Sequence, residues 1–239
     1  MPAPGPTSRT PQARTLSARA AGSGFFGSSL TEVACWPLDI SGRSGQFCRV
    51  ADEKLNRLRD ILRGYESCLV AYSGGVDSVL LAHVAHEVLG DQMLAVIADS
   101  PSLPRREFTE AREIAEAHGF PLRIIQTQEF ANPDYTDNPV NRCYFCKHEL
   151  FTRLEPIAID GGFAVLAYGE NTSDIGDHRP GAEAAKKFEV RAPLKEAGLA
   201  KDEIRALSAA LGLPTADKPQ MPCLSSRIPY GQAVTPEKL

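Results

Sequence analysis

The sequence contains no apolar run approaching the roughly 20 residues that a membrane-spanning helix needs, so it offers no candidate membrane segment. Basic charge is also scarce. Lys and Arg number 26 against 30 Asp and Glu, a net charge of −4. Residues 1–50 hold five arginines and two acids, so the remainder of the chain carries −7. An acidic body argues against extended nucleic-acid binding, which draws on lysine and arginine contacts with phosphate. Cysteine is sparse: six in 239 residues is too few for a disulfide scaffold. No internal repeat is evident. No acidic residue precedes Glu32, and the Pro-, Ser-, Gly- and Arg-rich residues 1–50 show no sustained amphipathic helix. They read as a disordered extension or a start assigned too far upstream, with a transit peptide as the alternative. The fold is expected to begin near Val50, where Leu55, Leu58, Ile61 and Leu62 open a helical stripe. Length suggests one large or two small domains, and 43% hydrophobic with 23% charged residues is ordinary for a globular chain.

What the sequence does have is Ser73-Gly74-Gly75-Val76-Asp77-Ser78, set between the apolar segment Cys68–Tyr72 and an amphipathic stretch from Ser78 to Leu89 that stops at Gly90. Two glycines at a strand-to-helix turn let backbone N–H groups converge on an anion, and the helix that follows presents its own unpaired N–H groups and positive dipole end. Such a turn holds phosphate oxygens, with the hydroxyls of Ser73 and Ser78 as further partners. A Walker loop would need Gly-Lys-Ser/Thr, and no lysine lies here. The dinucleotide fingerprint would need a third glycine where Ser78 stands. The segment resembles the pyrophosphate loop of the ATP pyrophosphatases, enzymes that split ATP into AMP and pyrophosphate and place AMP on a substrate oxygen.

The rest of the body alternates strand and helix. Strands are expected at 67–72, 93–98, 122–126 and 164–168, with a short one at 188–191. Helices are expected at 78–89, 105–118, 145–159 (bent or interrupted near Pro156) and 201–211, and residues 127–142 read as a polar loop. This alternation predicts an α/β doubly wound parallel sheet with helices on both faces and ligands at the carboxyl ends of the strands. Thr235-Pro236-Glu237 has the signature of a helix start, just before the chain ends at Leu239.

A second constellation is Cys143-Tyr144-Phe145-Cys146. Taken alone, Cys-x-x-Cys fits a redox pair, half of a zinc site, or ligands of another group. Cys223 lies in a stretch with Pro219, Pro222 and Pro229, an ordered non-helical loop where a cysteine is poor core filler. Arg227 can lower its pKa or bind a substrate phosphate. Cys68 reads as a small buried residue in a strand.

In order along the chain come the pyrophosphate loop, Asn141-Arg142-Cys143-Tyr144-Phe145-Cys146-Lys147, Gly169-Glu170-Asn171-Thr172-Ser173-Asp174, Asp177-His178-Arg179-Pro180-Gly181 and Pro222-Cys223-Leu224-Ser225-Ser226-Arg227. Together, over roughly residues 52–239, they resemble the LarE family of ATP-dependent sulfur transferases within the PP-loop superfamily. The resemblance implies 1–50 as extension, 51–222 as PP-loop ATP pyrophosphatase domain, and 223–239 as the start of a truncated C-terminal sulfur-transfer segment. It implies that a carboxylate of a pyridinium dicarboxylate mononucleotide is adenylylated and AMP then replaced by sulfur, on the route to a nickel-pincer nucleotide. One branch sacrifices a cysteine, here Cys223. Another holds a [4Fe-4S] cluster on three cysteines, here Cys143, Cys146 and Cys223. The presence of all three resembles the cluster branch.

The same resemblance implies ATP contacts from Ala71, Ser73, Gly74, Gly75, Val76, Asp77, Ser78, Ala98 and Gly169, with Asp77 near Mg²⁺. It places Cys223 and Asp77 in the chemistry. Asp174, Asp177 and Arg179 are Mg²⁺ or substrate candidates, with surface ion pairing as the alternative, and Arg227 is the choice for the substrate phosphate. Implied partners are the small pyridinium nucleotide and sulfide or another sulfur donor, with no nucleic acid and no membrane. A cytoplasmic location and a homo-oligomer at full length complete the expectation. The rivals are a tRNA thiolase of the superfamily, an amidating NAD-synthetase type that has no use for the three cysteines, and a non-catalytic nucleotide- or metal-binding protein.

Overall fold

A computed structural model describes residues 43–174 and 180–239, with side chains from residue 49 onward. Residues 1–42 and the site candidates Asp177 and Arg179 lie outside the described residues. The described part opens with α1 (Arg43–Arg63), which carries the expected stripe and starts earlier than Val50. Then come β1 (Cys68–Tyr72), α2 (Val76–Leu89), β2 (Met93–Asp99), α3 (Arg105–Ala117) and β3 (Leu122–Gln126). After these follow α4 (Pro133–Thr136), α5 (Arg142–Asp160), β4 (Val165–Tyr168), α6 (Pro180–Lys187), α7 (Pro193–Glu196) and α8 (Lys201–Ala210).

The four strands form one parallel sheet in the order β3-β2-β1-β4. β1 pairs on both sides, with Ala71 opposite Val96 of β2 and Tyr168 of β4. That position explains its unbroken apolar sequence, because a central parallel strand is covered on both faces. Side chains alternate across it. Cys68, Val70 and Tyr72 join a core with Leu58, Leu62, Leu80 and Leu81, whereas Leu69 and Ala71 join one with Phe151 and Leu154. Two cores on opposite faces make the sheet doubly wound, as the alternation predicts. α2 is buried over most of its surface, because it packs against the sheet and also against α1 and α8.

Three expectations change in detail. The stretch 188–191 makes only a single parallel bridge, Ala167 to Arg191. The polar loop 127–142 contains α4, whose first turn is capped by the Asn132 side chain accepting from Asp134 N at 3.0 Å. α5 starts three residues earlier than expected and runs through Pro156, so both cysteines of the Cys-x-x-Cys sit in its first turns.

The chain steps from β1 to β2 to β3 in one direction and then returns to the other side of β1 for β4. The reversal opens a crevice at the carboxyl ends of β1 and β4. No helix among the described residues is long and apolar enough to cross a membrane.

Candidate functional site

A cavity of about 640 Å³ occupies that crevice. Its wall at the sheet end includes Ala71, Ser73, Asp77, Ser78, Ala98 and Gly169. The turn that opens α2 is shaped by Gly74, whose φ of +74° is a conformation that side chains disfavour. Gly75 precedes the helix with no side-chain cap, leaving the first N–H groups of α2 without a capping side chain. The Ser78 hydroxyl closes the turn: it donates to Gly75 O at 3.0 Å, accepts from Ser73 N at 3.1 Å and lies 3.0 Å from the Ser73 hydroxyl. Ser78 is thus engaged within the loop, beyond the phosphate role read from its type alone. Val76 is 5% exposed and packs into the core, so only its backbone can serve an anion.

Gly169 ends β4 against this loop. A Cβ there would lie 3.0 Å from Ser78 N and 3.1 Å from Asp77 Cβ, so the close approach of β4 to α2 requires glycine. The Asp77 carboxylate accepts from Asn171 Nδ2 at 3.0 Å and is ion-paired with Lys201. Asp174 also lines the cavity, and its Oδ2 accepts from Asn171 N at 3.1 Å. Lys218 Nζ stands 2.6 Å from Glu107 and 3.0 Å from Glu110, with Gly74 O at 3.4 Å. The loop that lacks a lysine in sequence is therefore attended by two lysines from elsewhere. No spacing rule links positions 77, 201 and 218, and only the packing of α8 and the following loop brings them together.

The same cavity is lined by all three cysteines singled out from the sequence, Cys143, Cys146 and Cys223. Cys143 and Cys146 are three apart on α5, hence on one helical face. Cys223 arrives from the proline-rich loop, just before the 3-10 turn Leu224–Arg227. Burial pushes the Cys146 thiol up to about 12, opposed by Lys147 and reinforced by Glu129, Cys223 and Cys143. Among the described residues, no three His, Cys, Asp or Glu side chains close around a single metal ion. His148 turns away from this cavity, between the rings of Tyr144 and Phe188 and 2.9 Å from Lys187 Nζ. Arg227 is exposed and is not part of the cavity wall.

Sequence reasoning also passed over Glu129. It is 2% exposed and lines the cavity, one oxygen accepting from the Ser100 hydroxyl and the other without a hydrogen-bond partner among the described residues. Its signal was weak, a lone acid in a polar loop.

No protein-family model matches the chain. An uncharacterized Synechocystis protein, slr1717, is 48% identical over 188 residues, covering 79% of this chain and 70% of its own length. The pyridinium-3,5-bisthiocarboxylic acid mononucleotide synthase of Lactiplantibacillus plantarum is 33% identical, covering 74% of this chain and 65% of its own length. The chain thus spans about two thirds of these relatives. Among solved structures, an NH3-dependent NAD synthetase from Campylobacter jejuni superposes with a TM-score of 0.57 at 17% identity, over 72% of this chain and 77% of that one. The Methanococcus maripaludis U34-tRNA thiolase NcsA, with its [4Fe-4S] cluster, gives 0.54 at 22% identity, over 74% and 68%. With a glycine-rich anion turn at the switch point of a parallel sheet, these likenesses settle the fold as that of the PP-loop ATP pyrophosphatases, and the chain belongs to the same family as the Synechocystis protein slr1717.

Proposed function

We propose that this chain is an ATP-dependent sulfur transferase that activates a carboxylate of a pyridinium dicarboxylate mononucleotide, in the manner of LarE and on a route to a nickel-pincer nucleotide. One observation carries the reading: a single cavity is lined both by residues of the glycine-rich Ser73–Ser78 turn and by the three cysteines Cys143, Cys146 and Cys223. The named function of the 33% identical Lactiplantibacillus relative supports the substrate class.

The chemistry divides along the cavity. A carboxylate is a poor acyl donor because its leaving group would be oxide. In the first half, a carboxylate oxygen attacks the α-phosphorus of ATP, the bond to the β-phosphate oxygen breaks, and pyrophosphate leaves. The N–H groups of the Ser73–Ser78 turn and the N-terminus of α2 hold the departing pyrophosphate. Asp77 would hold Mg²⁺, whose charge would ease the departure of pyrophosphate. Backbone at Ala71 and Ala98 meets the adenine and Gly169 the nucleoside, while Asp174, Asp177 and Arg179 contact Mg²⁺ or substrate. In the second half, sulfide attacks the acyl carbon, the acyl–phosphate oxygen bond breaks, and AMP departs with that oxygen, leaving a thiocarboxylate. Cys143, Cys146 and Cys223 would hold a [4Fe-4S] cluster, which would supply the sulfur for transfer and spare Cys223 from sacrifice. Arg227 receives the substrate phosphate when the substrate spans the cavity mouth.

The test is pyrophosphate release from ATP with purified full-length protein and three acceptors: the pyridinium dicarboxylate mononucleotide, ammonium with a nucleotide acid, and tRNA. Release dependent on the first, and insensitive to moderate salt, is the expected result. Turnover with tRNA that weakens steeply with salt would replace this reading with a tRNA thiolase.

A further inference from the structure

We propose that Arg142 and Asn138 are positioning residues: a buried clamp that fixes the loop of Cys223 beside the start of α5, which carries Cys143 and Cys146. Cys143 and Cys223 are exposed, and the loop bearing Cys223 belongs to no strand or long helix. An exposed thiol on such a loop has no evident reason to hold still. Two residues further on, however, Ser225 is fully buried. Its carbonyl accepts from Arg142 Nη1 at 2.9 Å, and its hydroxyl lies 2.7 Å from the Tyr135 hydroxyl. The same Arg142 nitrogen donates to the side-chain oxygen of Asn138. The Asn138 amide nitrogen sits among three carbonyls of the Cys223 loop, Ile228 at 3.2 Å, Pro229 at 2.8 Å and Gln232 at 3.0 Å. Backbone bonds from Leu224 N to Ser102 O and from Gly231 N to Asn138 O, at 2.8 and 3.0 Å, complete the seam.

The choice of residues is specific. Asn138 is 0% exposed and holds a φ of +54°, a conformation asparagine tolerates better than most. Arg142 is 2% exposed, and burying a guanidinium is costly unless its donors are met. Apolar residues would fill the same space without that penalty. The arginine instead supplies a planar, always-charged guanidinium whose Nη1 bonds to both sides of the seam. Arg142 also immediately precedes Cys143. One side chain thus ties the residue beside the first cysteine to the residue two beyond the third.

The consequence for sulfur transfer rests on the function proposed above. The placement of the thiols does not, so the two are tested separately. Asn138→Gly removes the amide while keeping the backbone conformation, since glycine adopts positive φ freely. Arg142→Gln removes the guanidinium, and Arg142→Lys keeps only the charge. Each full-length variant is checked for folding by thermal melting. It is then treated without metal with a short bismaleimide, and the cross-linked cysteines are mapped by mass spectrometry. The wild type is expected to join Cys223 to Cys143 or Cys146. Asn138→Gly and Arg142→Gln should lower that yield about tenfold, as loss of a buried hydrogen bond allows, with Arg142→Lys between these two and the wild type. Sulfur transfer should fall about 100-fold from misplacement of the reacting groups, while pyrophosphate release stays within about twofold because the Ser73–Ser78 turn is untouched. Wild-type cross-linking in folded Asn138→Gly and Arg142→Gln would overturn the clamp, as would failure of the wild type to cross-link. Loss of cross-linking in a protein that never releases pyrophosphate would uphold the clamp and defeat the proposed function instead.

Discussion

Replacing Gly74 by alanine probes the phosphate turn most directly. A Cβ built at this position would lie 2.6 Å from Ala111 Cβ and 3.3 Å from Ala111 Cα. Those atoms are rooted in α3 and cannot swing aside, so helix or turn must move. Overpacking of this kind costs about 1–3 kcal/mol. The φ of +74° adds about 1–2 kcal/mol for a residue with a side chain. The lower entropy of the unfolded alanine chain returns roughly 0.4–1 kcal/mol. The net loss is about 1–5 kcal/mol, or roughly 2–20 °C in melting temperature for a domain of this size. Gly75 is the internal control. Its φ of −80° and ψ of 159° suit alanine, and the nearest atom to a new Cβ is Ser73 Oγ at 3.5 Å. Gly75→Ala should therefore shift stability by less than about 0.5 kcal/mol. Urea unfolding of both variants, with Gly74→Ala/Ala111→Gly added, separates the steric part from the conformational part. The double variant should show a favourable coupling of about 1–2 kcal/mol. Equal stability of Gly74→Ala and Gly75→Ala would refute the geometry assigned to the turn.

Three further outcomes are expected. Asp77→Ala should lower AMP formation by about 100-fold or more while circular dichroism stays native; wild-type rates in that folded variant would remove Asp77 from the nucleotide site. Anaerobic iron and sulfide loading should give about four irons per chain, lost in Cys143→Ala, Cys146→Ala or Cys223→Ala and kept in His148→Ala; stoichiometric zinc without iron uptake, or dehydroalanine at Cys223 with transfer independent of Cys143 and Cys146, would defeat the cluster. Burial, with the His118 ring adding to it and Glu87 opposing, holds the His83 imidazole below its usual 6.5. The unfolded chain therefore binds this proton at higher pH than the folded one, so stability is lost as pH falls below about 6.5. His83→Gln should flatten that acid limb in denaturant titrations between about pH 5 and 7, and an unchanged limb would count against the assignment.

The fold was legible because its signals are local. Cys68–Tyr72 is a continuous apolar run, and a central parallel strand must be one. Gly90, Gly119 and Gly212 mark the ends of α2, α3 and α8 because each adopts positive φ where the helix must stop. The cysteines were legible as a set, and the structure lines one cavity with all three. What the sequence hid depends on contacts between distant residues. Lys201 and Lys218 look like ordinary surface charges until α8 and its following loop fold beside the phosphate turn. Asn138 sits in a polar stretch that reads as loop, and nothing in its neighbours announces a positive φ or three bonded carbonyls. Residues 188–191 carry strand-like composition but find a partner only at Arg191, so a local preference went unrealised.

The clamp also imposes an order in time. Arg142 and Ser225 lie 83 positions apart in the chain. At synthesis rates of about 5–20 residues per second, Ser225 is made roughly 4–17 s after Arg142. Throughout that interval the nascent chain carries Cys143 and Cys146 without the seat for Cys223. A pair of thiols on a helix is a weaker metal trap than a set of three, so in the proposed cluster role the third cysteine, delivered last, would defer tight metal capture until the Ser73–Ser78 turn and the sheet have been synthesised.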